Sequence, residues 1–429
     1  MNKPVFAISC PYDTYSGYGA RARDVVKAII NTGKYDVKLM SQRWGSTAWG
    51  FCNDHPEWEY LNNYKLPENK LASKPDIWMQ ITIPNEFQPV GNYNIGCTAG
   101  IEATLCKPEW LEGLNKMDIN WVSSTFSKKV FENTKYDRKD KNTGQIQSQV
   151  KLEKPIEVVF EGANLDVYKN IPVKEIKAID LGNINESFCY LFVGHWMQGN
   201  FGHDRKNIYK MIKVFFEVFK NQKQKPALIL KSSVGVSSYI SRDEILNRIN
   251  KIKKTVNSSN LPNVYVLNGE LSDQEMNELY NHPKVKSMVS FTKGEGFGRP
   301  LLEFSLTGKP IIASNWSGHT DFLKSNFSTL IKGDLENVDE SASNDWLIKE
   351  AQWFKPHDSE MGRSLKDVYK KYKQLTLKSK QQKNFSKTQF SFEKMQELID
   401  NILTTNIPEF PKQVQLTLPK LELPKLSKI

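Results

Sequence analysis

Two glutamates separated by seven residues stand in the stretch FTKGEGFGRPLLEFSLTGKPIIASNWSG, residues 291–318. Glu295 lies among three glycines, which let a backbone approach a ligand closely and adopt positive φ. Glu303 follows about one turn inside a short predicted helix. The first carboxylate is placed to reach a sugar or a leaving group, and the second to accept two hydrogen bonds from vicinal hydroxyls. The pattern therefore predicts recognition of a ribose or a hexose.

The same stretch also predicts a place for phosphate. A glycine loop runs into a helix whose first turn accommodates Pro300, because proline lacks the N–H that is unpaired there anyway. Free N–H groups and the helix dipole both favour an anion at such a point. A purely structural alternative stays open, in which Glu303 caps its own helix and Glu295 is an ordinary surface residue.

Length and composition describe a globular chain of two domains. The 429 residues are 39% hydrophobic and 25% charged, which allows a sizeable core. No apolar run approaches the roughly 18 residues that span a bilayer. The N-terminal VFAISC run is too short for a signal-peptide core. We expect a cytoplasmic protein.

The formal net charge of +11 favours anionic partners such as nucleotides, nucleic acid, lipid headgroups or acidic glycans, although a solvated lysine-rich surface explains it equally well. The five cysteines are scattered and predict reduced thiols rather than a disulfide or zinc framework. The six histidines show no ligand spacing, and the chain contains no Asp-x-Asp pair. We therefore expect no metal site.

Strand-like apolar runs alternate with amphipathic helices in both halves of the chain, which predicts parallel sheets. DTYSGYGARA is predicted to be a glycine-containing loop ahead of the first helix, and RKNIYKMIKVFFEVFKNQ a helix of the second half. Two consecutive α/β halves of about 190 residues predict an α/β fold of two Rossmann-like domains facing a central cleft.

The predicted domain boundaries follow these patterns. An N-terminal domain covers residues 1–180 and carries a polar, basic insertion at about 134–155, which is expected to be a mobile surface segment. A second domain covers 181–385. A helix follows at 386–405, and an extended basic tail occupies 406–429.

The segment GEGFGRPLLEFSLTGKPIIAS resembles the E-x7-E motif of the retaining glycosyltransferases of the group-1 (GT4-like) family, which have the GT-B architecture. The similarity covers roughly residues 5–403, and the E-x7-E block is its specific part. It implies that the N-terminal domain binds the acceptor, that the second domain binds the nucleotide sugar, and that the helix at 386–405 returns to the first domain. Supporting blocks are IGCTAGIEATLCKPEWLEGLNKMDINWVSSTFSKKVF, VVFEGANLDVY, DRKNIYKMIKVFFEVF and NWSGHTDFL.

The resemblance implies a role for each residue of the E-x7-E block. Glu303 would bind the nucleotide ribose, and Glu295 would contact the donor sugar during catalysis. The amides of Gly296, Phe297 and Gly298 would lie near the sugar and the pyrophosphate. No metal or cofactor is implied besides the nucleoside diphosphate sugar, which is the donor substrate.

The resemblance also implies cations and a second glycine pair. Arg205 and Lys206 would neutralise the departing pyrophosphate, a role that their charge suits independently. Lys231 ends a strand at a carboxyl edge and is a second candidate cation. The alternative is a solvated basic helix start. Gly17 and Gly19 of SGYGARA match the first-domain glycine loop that faces acceptor and phosphates.

The chain departs from the family pattern at two places. Many members have Val-Gly-Arg at the start of the second domain, where this chain has His195 and a long GHWMQGNFGHD insertion. Many members also carry a first-domain histidine near the reaction centre, where this chain offers Glu102, as a related subgroup does. Glu102 is the acceptor-side candidate, and a helix-capping role is its alternative.

The function implied is transfer of a hexosyl unit from a nucleoside diphosphate sugar to a hydroxyl acceptor, with retention of configuration and without a metal. A glycan or a lipid-linked saccharide is the expected acceptor, with peripheral contact to anionic membrane surfaces. One alternative is a DNA-modifying transferase acting on a hydroxylated base, because Lys and Arg contacts to phosphate would suit the net charge. Another is a non-catalytic nucleotide-sugar-binding module. The oligomeric state stays open.

Overall fold

A computed structural model describes residues 3–140 and 143–410, so the predicted basic tail lies outside the described residues from residue 411 onward. Two six-stranded parallel sheets form the centres of two α/β domains. This arrangement confirms the predicted pair of Rossmann-like domains. Within the described ranges, no helix is long and apolar enough to cross a lipid bilayer.

The first sheet is built from strands whose side chains are largely buried on both faces, as parallel sheets require. Its strand order is β2-β1-β3-β4-β5-β8, and β6 and β7 form a separate antiparallel hairpin. Strands of this half are β1 (Val5–Cys10), β2 (Asp36–Ser41), β3 (Ile77–Ile81), β4 (Tyr93–Cys97), β5 (Ile119–Val122), β6 (Tyr136–Lys139), β7 (Ile146–Val150) and β8 (Ile156–Val158). Its helices are α1 (Gly17–Asn31), α2 (Phe51–Asp54), α3 (Pro108–Asn115) and α4 (Thr125–Asn133).

The second sheet has the order β11-β10-β9-β12-β13-β14, and β15 pairs with β16 in a separate antiparallel hairpin. Its strands are β9 (Cys189–Val193), β10 (Ala227–Lys231), β11 (Val264–Leu267), β12 (Val285–Ser290), β13 (Ile311–Ser314), β14 (Thr329–Ile331), β15 (Gly333–Asn337) and β16 (Gln352–Pro356). The helices are α5 (Ile208–Phe219), α6 (Tyr239–Lys254), α7 (Asp273–Asn281), α8 (Arg299–Ser305), α9 (Asp358–Lys370), α10 (Tyr372–Gln389) and α11 (Phe392–Asn406).

The last helix of the described chain returns to the first domain, as predicted. α11 packs against α1, and its apolar face completes the core around the first sheet. Ser391 caps the helix by accepting a hydrogen bond from the Lys394 amide. The apolar residues that α11 contributes to this core are Phe392, Met395, Ile399, Ile402 and Leu403.

A second connection runs from the other domain onto the first. The arm that joins β15 to β16 packs on apolar residues around α3 and α4. Trp353 of β16 is fully buried in this cluster together with Trp110 and Phe131. The backbone adds to the contact, because the Thr104 amide donates to the Gln352 carbonyl at 2.8 Å. The two domains therefore share buried apolar surface at two places.

Three local predictions differ from the structure. Gly17 begins α1, so the predicted loop extends only to Ser16, whose side chain caps the helix by accepting from the Gly19 amide. α5 begins at Ile208, after Asn207 with a φ of 56°, so the basic pair before it lies in a loop. The insertion at 134–155 contains the β6–β7 hairpin, whose exposed polar side chains lack the apolar alternation that marks a strand.

Candidate functional site

The strand order of the second sheet places the candidate residues together. The order reverses between β9 and β12, and ligands of such sheets bind at that point beyond the carboxyl ends of the strands. The segment containing Arg205 and Lys206 follows β9, and the loop containing Glu295 follows β12. The parallel pairing of neighbouring strands thus brings two loops together that are about ninety residues apart in the sequence.

A buried ion-pair cluster forms where these loops meet. Lys206 Nζ lies 2.6 Å and 2.8 Å from the two carboxylate oxygens of Glu295. Arg205 Nη1 lies 3.5 Å from Glu295 Oε2 and donates to the Gly294 carbonyl at 2.7 Å. Glu295 is only 8% exposed. Burial alone would raise its pKa, but the charges of Lys206 and Arg205 outweigh burial and lower the pKa to about 2.

Glu102 joins the cluster from the first domain. Its Oε1 lies 3.4 Å from Arg205 Nη2, so this guanidinium stands between one carboxylate of each domain. The helix-capping alternative for Glu102 is wrong, because the next helix, α3, begins only at Pro108. Burial opposes the charge of Arg205, yet Glu102 and Glu295 together raise its pKa. The cluster holds two cations and two carboxylates at the junction of the domains.

The glycines of the loop fit the chain into a narrow space between the domains. A Cβ on Gly294 would lie 2.1 Å from the Glu102 carbonyl oxygen, and one on Gly296 would lie 2.7 Å from the Ala99 carbonyl oxygen. Gly298 has a φ of 95° and precedes α8. The ring of Phe297 is buried against Phe322 and Phe390, which leaves only its backbone for a ligand.

Glu303 occupies a separate buried position on α8. Its Oε1 accepts from Arg299 Nε at 2.8 Å, and its Oε2 accepts from the Tyr280 hydroxyl at 3.2 Å. Burial raises the pKa of Glu303 to about 7, although Arg299 acts in the opposite direction. Arg299 also binds Asp24 of α1 at 2.5 Å. The carboxylate is therefore held by side chains rather than capping its own helix.

Lys231 and His195 lie at the carboxyl ends of neighbouring strands. Lys231 ends β10, and its carbonyl accepts from the Gly194 amide at 3.1 Å. Within residues 3–140 and 143–410, the Lys231 ammonium makes no ion pair within 4.0 Å, and burial lowers its pKa. His195 Nδ1 lies 2.8 Å from Ser233 Oγ, and burial lowers the pKa of its imidazole. The charge of Glu270 opposes the effect of burial on Lys231 from beyond ion-pair distance.

Gly17 and Gly19 lie in the first turn of α1. A Cβ on Gly19 would lie 2.3 Å from the Thr14 carbonyl oxygen, so close packing explains this glycine, whereas Gly17 has open space around it. Tyr18 between them donates to or accepts from Thr98 Oγ1 at 2.9 Å and accepts from the Ala99 amide at 3.1 Å. The glycine pair therefore places a tyrosine beside the loop that contacts Gly296.

Sequence reasoning missed four side chains of this region: Asp24, Tyr280, Arg299 and Tyr18. Arg299 stands inside the E-x7-E block and its charge was a usable signal. Asp24 carries no signal in the sequence, because its partner Arg299 is 275 positions away. In the part of the chain that the structure describes, no group of three or more His, Cys, Asp or Glu side chains could hold a metal ion. All five cysteines are buried thiols.

Comparison with known proteins connects this geometry to sugar transfer. Residues 197–349, about a third of the chain, match the family model described as glycosyl transferases group 1. The match includes Arg205, Lys206, Lys231, Glu295 and Glu303. A search of curated protein sequences gave no significant match.

Solved structures resemble the whole chain. A glycosyltransferase from Rickettsia africae ESF-5 superimposes with a TM-score of 0.62 at 13% identity, covering 95% of this chain and 99% of that chain. The chain has the GT-B fold. Sucrose-phosphate synthase from Thermosynechococcus elongatus gives 0.61 at 12% identity, covering 94% of this chain and 99% of that chain. Anabaena HepE in complex with UDP-glucose gives 0.56 at 13% identity, covering 94% and 100%.

The segment matched by the family model overlaps the ion-pair cluster. In the GT-B arrangement of this chain, the cluster around Glu295 lies between the domains, and the matched segment supplies three of its four charged members. The fourth, Glu102, comes from the first domain, outside the matched segment.

Proposed function

We propose that this GT-B chain is a retaining glycosyltransferase that moves a hexosyl unit from a nucleoside diphosphate sugar to a hydroxyl acceptor without a metal. The observation that carries the proposal is the pairing of Lys206 and Arg205 with Glu295 at the reversal point of the second sheet. A diphosphate needs cations and a sugar needs a hydrogen-bond acceptor, and this cluster offers both within a few ångströms.

The leaving group is the step that the cations would assist. The bond between the anomeric carbon and the diphosphate oxygen breaks, and negative charge develops on the diphosphate. The side chains of Arg205 and Lys206 are only 14% and 16% exposed, so they act where water screens their charge poorly. Lys231, which makes no ion pair among the described residues, supplies a further positive charge at the neighbouring strand end.

The acceptor hydroxyl would attack on the same face. A bond forms between its oxygen and the anomeric carbon, and its proton passes to the departing phosphate oxygen, so no separate base is required. Glu295 stays ionised because its pKa is about 2, and it can therefore accept hydrogen bonds from the donor sugar. Glu102 reaches the same cluster from the first domain and would face the acceptor.

Glu303 would recognise the ribose. An ionised carboxylate has about four lone-pair positions. Arg299 and Tyr280 use two of them, one on each oxygen. The remaining position on each oxygen suits the two hydroxyls of a ribose diol, in keeping with the UDP-glucose complex of the structurally similar HepE.

The proposed acceptor is a glycan or a lipid-linked saccharide. α10 carries five lysines and no acidic residue, and these lysines line a largely exposed helix. Such a face suits peripheral contact with an anionic surface. Binding to anionic vesicles, compared with plain duplex DNA at low salt, separates this acceptor class from a DNA acceptor.

A donor screen tests the proposal. We expect the purified chain to release nucleotide from one of UDP-, GDP-, ADP- or CMP-sugars with EDTA present. Glu303→Ala should abolish release, because the ribose loses its carboxylate. Glu397→Ala on the exposed face of α11 is the matched control and should retain release. Failure to release or bind any donor would overturn the proposed function, and release that EDTA abolishes would overturn metal independence.

A further inference from the structure

A three-residue chain of charges crosses the domain junction and ends on Glu303. Asp24 Oδ2 on α1 binds Arg299 Nη1 at 2.5 Å, and Arg299 Nε binds Glu303 Oε1 at 2.8 Å. Asp24 belongs to the first domain, whereas the other two belong to α8 of the second. One guanidinium therefore connects the two domains through two different nitrogen atoms.

The three side chains are largely buried, so the loss of one of them affects the other two. The side chains of Asp24 and Glu303 are 8% and 7% exposed, and that of Arg299 is 20% exposed. Buried ion pairs are held in one geometry by their hydrogen bonds, and removal of one partner leaves the other uncompensated. Loss of Asp24 would therefore free one end of Arg299 and alter the orientation of its other end.

The charges around Glu303 leave part of its carboxylate free to accept hydrogen bonds from a ligand. Two carboxylates share one guanidinium, so Arg299 by itself does not neutralise both. Arg23 donates through Nη1 to the carbonyls of Tyr12 and Thr14, and within the described ranges it forms no ion pair with Asp24, although the two charges attract each other. Glu303 in its ionised form consequently retains one acceptor position on each oxygen, and two hydroxyl donors can satisfy these positions.

We propose that Asp24 is a positioning residue for the donor, which fixes Arg299 from the first domain so that Glu303 presents its remaining acceptor positions to the ribose diol. Recognition of the ribose by the second domain thus depends on a first-domain side chain. The inference rests on the proposed function, since it requires that Glu303 binds ribose.

Calorimetric binding of UDP, GDP and ADP, each beside its 2′,3′-dideoxy counterpart, tests the inference in the full chain. In the wild type we expect the dideoxy analogue of the bound nucleotide to bind roughly 10- to 100-fold more weakly, because it lacks the hydrogen bonds to a charged carboxylate. In Asp24→Asn this ratio should fall towards one, since Glu303 is no longer oriented. The double variant Asp24→Asn/Glu303→Gln should show an affinity ratio no lower than that of Glu303→Gln alone.

Two further variants keep the test decisive. Asp321→Asn removes a different carboxylate contact between the domains, with the Thr125 amide at 2.7 Å, and should leave the ratio unchanged. Arg299→Lys keeps the positive charge but lacks the two-nitrogen fork, and it should lower the ratio even if Asp24→Asn does not fold.

The outcomes separate the two proposals. An unchanged ratio in Asp24→Asn and Arg299→Lys, whatever the affinity, overturns the positioning role of Asp24 while Glu303 still reads the ribose. An unchanged ratio in Glu303→Gln overturns the ribose role itself. Absence of binding by all three nucleotides in the wild type overturns the proposed function and the inference together.

Discussion

Glu295 and Glu303 are eight positions apart, yet their surroundings drive their pKa values in opposite directions. Two cations next to Glu295 hold its pKa at about 2 in spite of burial. Glu303 has one guanidinium, shared with Asp24, and burial prevails and raises its pKa to about 7. The same residue type in one short motif is thus charged at neutral pH at one position and titrates near neutral pH at the other.

Glu295 should contribute stability that acid removes. Its pKa in the folded chain lies below the ordinary value of 4.5, so its contribution is present above about pH 4.5 and is lost as the pH falls towards 2. At neutral pH the contribution is on the order of 3 kcal/mol, at about 1.4 kcal/mol per pKa unit. We expect Glu295→Gln to lower the melting temperature at pH 7 and to match the wild type near pH 2.

Thermal unfolding across this pH range makes the measurement. The control is Glu397→Gln, whose carboxylate is exposed and should follow the wild type throughout. A constant difference between Glu295→Gln and the wild type from neutral to acid pH would contradict the lowered pKa.

The motif itself was predictable at this scale, and its connections were not. The spacing of Glu295 and Glu303 is local, and the helix that positions the second glutamate follows from local composition. The Asp24–Arg299 pair joins positions 275 apart, and neither residue stands out by type or periodicity. A contact of this kind arises only when two separately folded sheets meet at one particular distance.

Among the elements, the glycine loop after β12 determines how closely the domains approach. A Cβ on Gly294 would lie 2.1 Å from the backbone carbonyl of Glu102, which no side-chain rotation relieves. We expect Gly294→Ala to separate the domains at this edge and to increase the radius of gyration measured by small-angle X-ray scattering. Displacement of Arg205 by about 1 Å from its partners should lower transfer on the order of 100-fold.

Gly17→Ala is the structural control for that experiment. Gly17 begins α1, which contacts the second domain through Asp24, but an added Cβ at Gly17 would meet no atom within 4 Å. The radius of gyration of the Gly17→Ala variant should equal that of the wild type. Equal compactness of both variants would show that the loop does not set the distance between the domains.

Element types were predicted better than element starts. The parallel strands are apolar runs and were recognisable, because both faces of such sheets are buried. The beginning of α1 at Gly17 differs from the predicted loop, because glycines usually mark loops and the cap is provided by the side chain of Ser16. The β6–β7 hairpin was missed since neither strand carries an alternating apolar face.

For the whole molecule, the arm between β15 and β16 couples the two domains. Trp353 is fully buried in a cluster with first-domain residues. We expect Trp353→Ala to lower the free energy of unfolding by about 3–5 kcal/mol and to split a single calorimetric transition into two. The reason is that the cavity lies between the domains, so each would lose its partner and unfold separately.

Trp346→Ala serves as the matched control, because this tryptophan lies in the same arm but is 44% exposed. It should keep one transition with little change in melting temperature. Two transitions in the wild type would show that the domains unfold independently even with Trp353 in place.

The return of α11 has a consequence for synthesis of the chain. Translation delivers residues from the N-terminus, and domains usually fold as they emerge. The first domain differs, because five apolar residues of its core lie between positions 392 and 403, after the whole second domain. More than two hundred further residues must be translated before α11 emerges from the ribosome. Until then, the apolar face of α1 that α11 covers in the folded chain stays exposed. Chaperone occupancy of nascent chains should therefore begin in the first half of the message and end only after α11 has emerged.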